Sequence, residues 1–162
     1  MPKCIFLVGV PAAGKSTYVD ATFFFNDRDP EYFSIQSTDA IITDIAAEYG
    51  YTYDQAFNDL IKFADRVFWD GIIHCAEHGI SMVIDRTNLS VKSRKRIIDM
   101  IKTHDYELEA VVFPTPEASE WQRRLDSRPG KTIPKHILES MAKSFSVPTE
   151  TEGFNKITII DA

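Results

Sequence analysis

Long apolar runs are missing from this chain of 162 residues. None approaches the roughly 18–20 residues that a membrane-spanning helix requires, so a helical membrane protein is not expected. Cysteine is scarce too. Cys4 and Cys75 form no CxxC pair, which leaves no disulfide framework or thiolate metal site, and both read as small core residues of a reducing, cytoplasmic setting. No internal repeat, low-complexity tract or linker interrupts the chain. Its length suits a single domain over 1–162, with a core large enough to stand without covalent staples. Met1-Pro2-Lys3-Cys4 runs through a short apolar stretch straight into a Gly-containing loop rather than a small-residue cleavage site, so no cleaved leader is expected.

Positive charge is in deficit, 18 Lys and Arg against 24 Asp and Glu, for a net charge of −6. The deficit is uneven. Residues 86–135 carry 11 of the cations and 7 of the acids, a balance of +4, and the remainder of the chain is therefore at −10. That asymmetry fits either a cationic site for phosphates on an acidic body or solvated helix faces that are basic by chance.

What is present alternates between two periods. Lys3 to Val8 is a continuous apolar run of the kind that forms a strand buried on both faces. Tyr32–Gln36, Ile80–Ile84, Leu108–Phe113 and Ile157–Ile160 are further strands. Between them lie helical stretches from Gly14 to about Phe24 and from Ala40 to Tyr49. A long helix follows a capping box at Thr52-Tyr53-Asp54-Gln55 and ends at Gly79. A basic helix is capped by Ser90, and two more run from Pro116 to about Arg128 and from Pro134 to Phe145. Strands alternating with helices predict an α/β fold, a parallel sheet flanked by helices.

The sharpest signal is Gly9-Val10-Pro11-Ala12-Ala13-Gly14-Lys15-Ser16, a full match to G-x-x-x-x-G-K-[ST] placed between a strand and a helix. In such a P-loop the glycines allow a tight turn whose backbone N–H groups face phosphate oxygens, and the helix dipole points at the same oxygens. Gly9, Ala12, Ala13, Gly14, Lys15, Ser16 and Thr17 are therefore the candidate ATP-binding residues. Lys15 is placed to meet the β- and γ-phosphates, and the Ser16 hydroxyl to hold Mg²⁺. A GTPase would need an N-K-x-D element, and Asn155-Lys156-Ile157-Thr158 lacks its Asp.

Asp39 follows the second strand, where a parallel sheet gathers its functional loops. It suits either a general base that takes a proton from an acceptor hydroxyl or an N-cap for the helix from Ala40. Asp85 ends the third strand and could orient Mg²⁺-bound water or take part in acceptor binding, and Asn88 suits an acceptor contact or a cap near Ser90. Arg124 and Arg128, four apart on a helix, fit a short helical lid over about 121–136 that brings cations onto the triphosphate, or a solvated face. His74-Cys75-Ala76-Glu77-His78 matches H-x-x-E-H but has no evident third ligand and competes with a complete P-loop, so a zinc site is not expected.

Together the Gly9–Thr17 loop, Ser37-Thr38-Asp39, Val83-Ile84-Asp85-Arg86-Thr87-Asn88, Arg124 to Pro134 and the Glu152-Gly153-Phe154 tail resemble the P-loop kinases of the phage polynucleotide kinase group. The resemblance covers essentially the whole chain. It implies an ATP- and Mg²⁺-dependent kinase with Lys15, Asp39 and Arg128 catalytic and Arg124 on the nucleotide. Asp39, Asp85, Thr87 and Asn88 would bind an acceptor hydroxyl on a nucleic acid, with DNA the expected form. Where 5′-end kinases of the group carry an Arg three residues after the base, this chain has Ile42. That departure brings in the branch that phosphorylates 5-hydroxymethyluracil within DNA during phage DNA modification. A small-metabolite or nucleoside kinase on the same scaffold is the alternative, and a nucleotide-binding module without catalysis is a third reading. Lys92, Arg94, Lys95 and Arg96 are expected to face a polyanionic acceptor, and no obligate protein partner or membrane contact is expected.

Overall fold

The computed structural model describes residues 1–24 and 32–161. Among them five strands form one fully parallel sheet: β1 (Lys3–Val8), β2 (Phe33–Gln36), β3 (Ser81–Asp85), β4 (Glu107–Val112) and β5 (Lys156–Ile159). Their order is β2-β3-β1-β4-β5, with Leu7 opposite both Asp85 and Val111. β1 is buried on both sides because its alternate residues feed two cores. Cys4, Phe6 and Val8 join one core, and Ile5 and Leu7 the other.

The helices are α1 (Lys15–Val19), continued by a π-helical turn over Asp20–Phe24, then α2 (Thr38–Glu48), α3 (Tyr53–His78), α4 (Val91–Ile101), α5 (Ala118–Asp126) and α6 (Lys135–Ser144). Phe68, Ile72 and Cys75 of α3 and Ile97 and Ile101 of α4 pack on the first core, whereas Val19 of α1 packs on the second. Buried side chains of this size contribute roughly 1.5–3 kcal/mol each. The 26-residue α3 starts at the expected capping box, where Thr52 accepts from the Gln55 N–H and the Gln55 side chain accepts from the Thr52 N–H.

Strand and helix identities agree with the sequence reading, and the bounds move by a few residues. The first helix becomes a short α-turn and a π-turn. α2 begins two residues early, at Thr38, with Ser37 as its cap through the Ala40 N–H at 3.1 Å. Asp39 is thus inside the first turn and is not the cap. α5 ends at Asp126, so Arg128 lies past the helix, its N–H donating to the Leu125 carbonyl. A 3₁₀ turn at Glu150–Glu152, which no periodicity foretold, precedes β5.

That turn explains the Glu152-Gly153-Phe154 tail. Phe154 is buried edge-on against Phe6, with ring centroids 5.4 Å apart. Glu152 receives both Nε and Nη2 of Arg94, at 2.8 and 3.2 Å. Arg94 is fully buried, and its Nη1 also donates to the carbonyls of Asn88, Leu89 and Ser146. The expectation that Arg94 faces an acceptor is therefore corrected: it clamps the β3–α4 loop to the tail. Its neighbours are engaged as well, Lys95 with Asp99 and Arg96 over the Trp69 ring at 4.2 Å. Because removing one partner leaves a buried charge unpaired, Arg94→Ala should destabilise the fold by about 3–5 kcal/mol, measurable by urea unfolding. An unchanged midpoint would contradict the clamp.

Candidate active site

In a parallel sheet every strand points its carboxyl end the same way. Here those five ends line one cleft of about 2010 Å³: the loop after β1, Ser37–Asp39 after β2, Asp85–Thr87 at β3, Phe113 and Pro114 after β4, and Ile160 and Asp161 after β5. The cleft is bordered by the start of α3, by α5 and by the segment joining α5 to α6.

At its floor, Ala12 and Gly14 hold positive φ angles of 61° and 107°, which turns the loop sharply into α1. The Lys15 ammonium lies inside the turn, donating to the carbonyls of Gly9 and Val10 at 2.7 and 2.8 Å. Burial lowers its pKa to about 8; Asp85 and Asp39 act to raise it, while Arg128 and Lys131 reinforce the lowering. Ala12, Ala13, Gly14, Ser16 and Thr17 line the cleft as expected. Gly9 has a different duty. Its N–H donates to the Thr87 carbonyl at 3.0 Å, and a Cβ there would meet the Phe113 Cβ at 2.9 Å. It supplies close packing of the loop's base, so its N–H is not free for phosphate.

Asp39 opens onto the cleft with both carboxylate oxygens engaged. Tyr53 donates its hydroxyl to Oδ1 at 2.7 Å, and Lys131 its ammonium to Oδ2 at 2.9 Å. Burial acts to raise the Asp39 pKa, but Lys131, the Tyr53 hydroxyl and Arg128 outweigh it, and the net shift is downward. Asp85 goes the other way. Burial raises its pKa, helped by Asp39 and opposed by Lys15, a Ser37 hydrogen bond and Lys131. Lys15, Asp39, Asp85 and Arg128 thus form one electrostatic cluster. Thr87 lines the same cleft.

Asn88 does not line it. Its side chain is buried, and Nδ2 donates to the carbonyls of Leu7, Ile84 and Arg86 at 2.7, 3.2 and 3.3 Å. The expected acceptor contact is corrected: Asn88 ties the ends of β1 and β3 together, with φ at 47°. Ile42 is fully buried. The position at which the resemblance led one to look for an Arg faces the interior.

On the opposite wall, Trp121 donates its indole N–H to the Pro11 carbonyl at 2.8 Å, fastening α5 to the loop. Arg124 contacts the Ala12 carbonyl at 3.3 Å and pairs with Glu120 at 2.8 Å. The connection to α6 is strapped to α3: the Asp54 N–H donates to the Gly130 carbonyl, and the Asp54 carboxylate accepts from the Thr132 N–H and hydroxyl. Gly130 is required there. Its φ is 74°, and a Cβ would meet the Thr52 Cβ at 2.7 Å.

Sequence reasoning missed Tyr53, Lys131 and Arg86. Tyr53 and Lys131 are 14 and 92 residues from the carboxylate they hold, and only the fold joins them. Arg86, between Asp85 and Thr87, has no local signal that marks it for a role. Since Lys131 lowers the Asp39 pKa, Lys131→Met should raise it and move the acidic limb of the pH–rate profile to higher pH. An unmoved limb would separate Asp39 from the rate-determining ionisation.

The parallel sheet, the loop and the lysine, serine and arginine around it define a P-loop kinase-type fold. A family model described as an AAA domain (AAA_33) matches residues 4–148, and the chain belongs to that family. Among solved structures, a candidate kinase from Chloroflexus aurantiacus j-10-fl superposes with a TM-score of 0.68 at 14% identity, covering 99% of this chain and 85% of that one. A chain of the Pnkp1/Rnl/Hen1 RNA repair complex gives 0.62 at 24% identity, over 88% of this chain and 43% of that one. A gluconokinase from Sinorhizobium meliloti 1021 gives 0.53 at 16%, over 99% and 82%. At these identities the likeness is one of fold.

Proposed function

We propose that the protein is an ATP-dependent kinase that transfers the γ-phosphoryl group to a hydroxyl of a nucleic acid, at a 5′-hydroxyl end or a base hydroxymethyl. The observation that carries the kinase reading is the convergence of Lys15, Asp39 and Asp85, at the ends of three adjacent strands, with Arg128 from the segment after α5. A carboxylate held ionised opposite a P-loop lysine is what an in-line transfer to a hydroxyl needs.

The donor set suits ATP and Mg²⁺. Lys15 already seats a cation on the loop's carbonyls, Ser16 is placed for the metal, and Arg124 and Arg128 face the cleft. When bound, ATP·Mg²⁺ supplies the phosphoryl group and an ion that offsets its charge. Lys15 and Arg128 then meet negative charge as it moves off the transferring group. Asp39 takes the hydroxyl proton once Lys131 or Tyr53 releases an oxygen, and Asp85 and Thr87 border the acceptor. The strapped α5–α6 segment, the expected lid, excludes water.

Tyr53 and Phe57, with ring centroids 5.7 Å apart, and both on the cleft, offer aromatic faces for a base. With Arg94 buried and Lys95 and Arg96 engaged, the basic stretch of α4 offers little to follow a phosphate backbone. Acceptor affinity should therefore fall only gently with salt, by about one unit of log–log slope or less. A second reading, a small-metabolite kinase, is favoured by Asp44, Asp54 and Asp65, which line the same cleft and act against a polyanion.

Labelled ATP offered with a 5′-hydroxyl oligonucleotide, 5-hydroxymethyluracil DNA, nucleosides and sugar acids tests the choice. Transfer to an oligonucleotide supports the first reading. Efficient transfer to a free sugar acid or nucleoside without response to DNA replaces it with the second.

A further inference from the structure

Arg86 is the cleft residue whose duty is least explained by the reaction just described. Its Nη2 donates to the Thr38 hydroxyl at 2.8 Å and to Asp65 Oδ1 at 2.6 Å. Its guanidinium carbon stands 3.5 Å from the centroid of the Phe68 ring and 5.4 Å from that of Trp69. A guanidinium has five N–H donors. Nη2 uses its two, and among the described residues Nη1 and Nε have no hydrogen-bond partner. The side chain is 28% exposed and lines the cleft beside Thr38, next in sequence to Asp39.

The other cations on the cleft have evident work. Lys15, Arg124 and Arg128 surround the phosphate loop, and Lys131 is paired with Asp39. Arg86 is the remaining cation among the described lining residues, and it comes from neither the loop nor the lid segment. It is also rigid: an aromatic face beneath, a carboxylate and a hydroxyl at its flank. An arginine held in this way loses little rotamer freedom when it takes an anion. Asp65 offsets part of its charge but is 49% exposed and contacts one nitrogen only.

We propose that Arg86 is an acceptor-binding residue whose free N–H groups receive a single anionic group of the acceptor, phosphate or carboxylate, next to the hydroxyl that Asp39 deprotonates. This rests on the kinase reading above and narrows it. The carboxylates of Asp44, Asp54 and Asp65, which also line the cleft, disfavour further negative charge, so the site selects acceptors with one anion within reach.

The test uses matched acceptors differing by the anion: thymidine against thymidine 3′-monophosphate, and glucitol against gluconate. Hydrogen bonds to a charged group contribute about 1.5–3 kcal/mol, so the charged member of the pair the enzyme accepts should be favoured by roughly tenfold or more in kcat/KM, mostly through KM. The pair that responds distinguishes phosphate from carboxylate. Arg86→Gln should bring the charged-to-neutral ratio close to one, with Arg86→Lys between. Equal use of both members, or a preference that survives Arg86→Gln, overturns the assignment while leaving the kinase reading in place.

Should no acceptor in the panel react, anion binding decides alone. In protein saturated with ADP and Mg²⁺, inorganic phosphate and acetate are titrated by calorimetry against parent, Arg86→Gln and Asp65→Asn. Binding that Arg86→Gln removes and Asp65→Asn strengthens several-fold supports the proposal. Absence of any Arg86-dependent binding overturns it. If Arg86→Gln does not fold, an Asp65→Asn variant that binds no tighter than the parent has the same force.

Discussion

Lys15→Ala is expected to reduce phosphoryl transfer by roughly 10²–10³-fold, the cost of removing one preorganised donor from developing charge. The lysine's position makes the effect specific. Its ammonium reaches back to the carbonyls of Gly9 and Val10, so it sits in the hollow where phosphate oxygens would enter. It also carries a consequence for pH. Burial lowers its pKa to about 8, with Asp85 and Asp39 opposing and Arg128 and Lys131 adding to the fall. Phosphate favours the protonated lysine, so the pKa rises in the complex and binding takes up a proton above pH 8. Nucleotide affinity should accordingly be flat below about pH 8 and weaken above it. In Lys15→Ala that pH dependence should vanish. Titrations of a non-hydrolysable ATP analogue from pH 6.5 to 9.5 check the affinity, and single-turnover assays check the rate. The variant should stay folded, since Asn88 and the Gly9 N–H continue to fasten the loop's base to β3 and Thr87. A folded variant with near-parental turnover would end the P-loop assignment.

The architecture was readable because its signals are local. A continuous apolar run at Cys4–Val8, a capping box at Thr52–Gln55, a Ser90 cap and a Gly-Lys-Ser loop each declare themselves within a few residues. The polar interior was not readable. Arg94 looked like one of several surface cations on a basic helix, yet its partners come from Asn88, Leu89, Ser146 and Glu152. Composition cannot tell a solvated arginine from one that clamps two distant loops. Asn88 was misplaced for a related reason: its amide suits an acceptor as well as a carbonyl, and the choice depends on β1 and β3 ending side by side. The site was half visible. Lys15, Asp39 and Asp85 could be placed on one cleft because two of them follow a strand and the third ends one. Tyr53 and Lys131 were not, because they reach Asp39 from the start of α3 and the segment after α5.

Those two partners sharpen what Asp39→Asn should do. The carboxylate accepts from Tyr53 on Oδ1 and from Lys131 on Oδ2, and these donors with Arg128 keep its pKa low against the effect of burial. A base so held is ionised at neutral pH and is available once an acceptor hydroxyl displaces one donor. Asparagine keeps the shape and one acceptor oxygen but cannot take a proton, so transfer should fall by roughly 10²–10⁴-fold, the usual contribution of a general base. Nucleotide affinity measured near pH 7 should stay close to parental if, as proposed, Asp39 meets the acceptor rather than the nucleotide. A second-order effect has a definite sign. Asp39 helps to keep Lys15 protonated, so its loss lowers the lysine's pKa further and the high-pH weakening of nucleotide binding begins earlier. Affinity at pH 7 and pH 8.5, set beside single-turnover rates, separates the two roles. Loss of rate with affinity intact at pH 7 identifies the base, whereas a collapse of affinity at both pH values would move Asp39 to the nucleotide site and leave the base to be sought at Asp85.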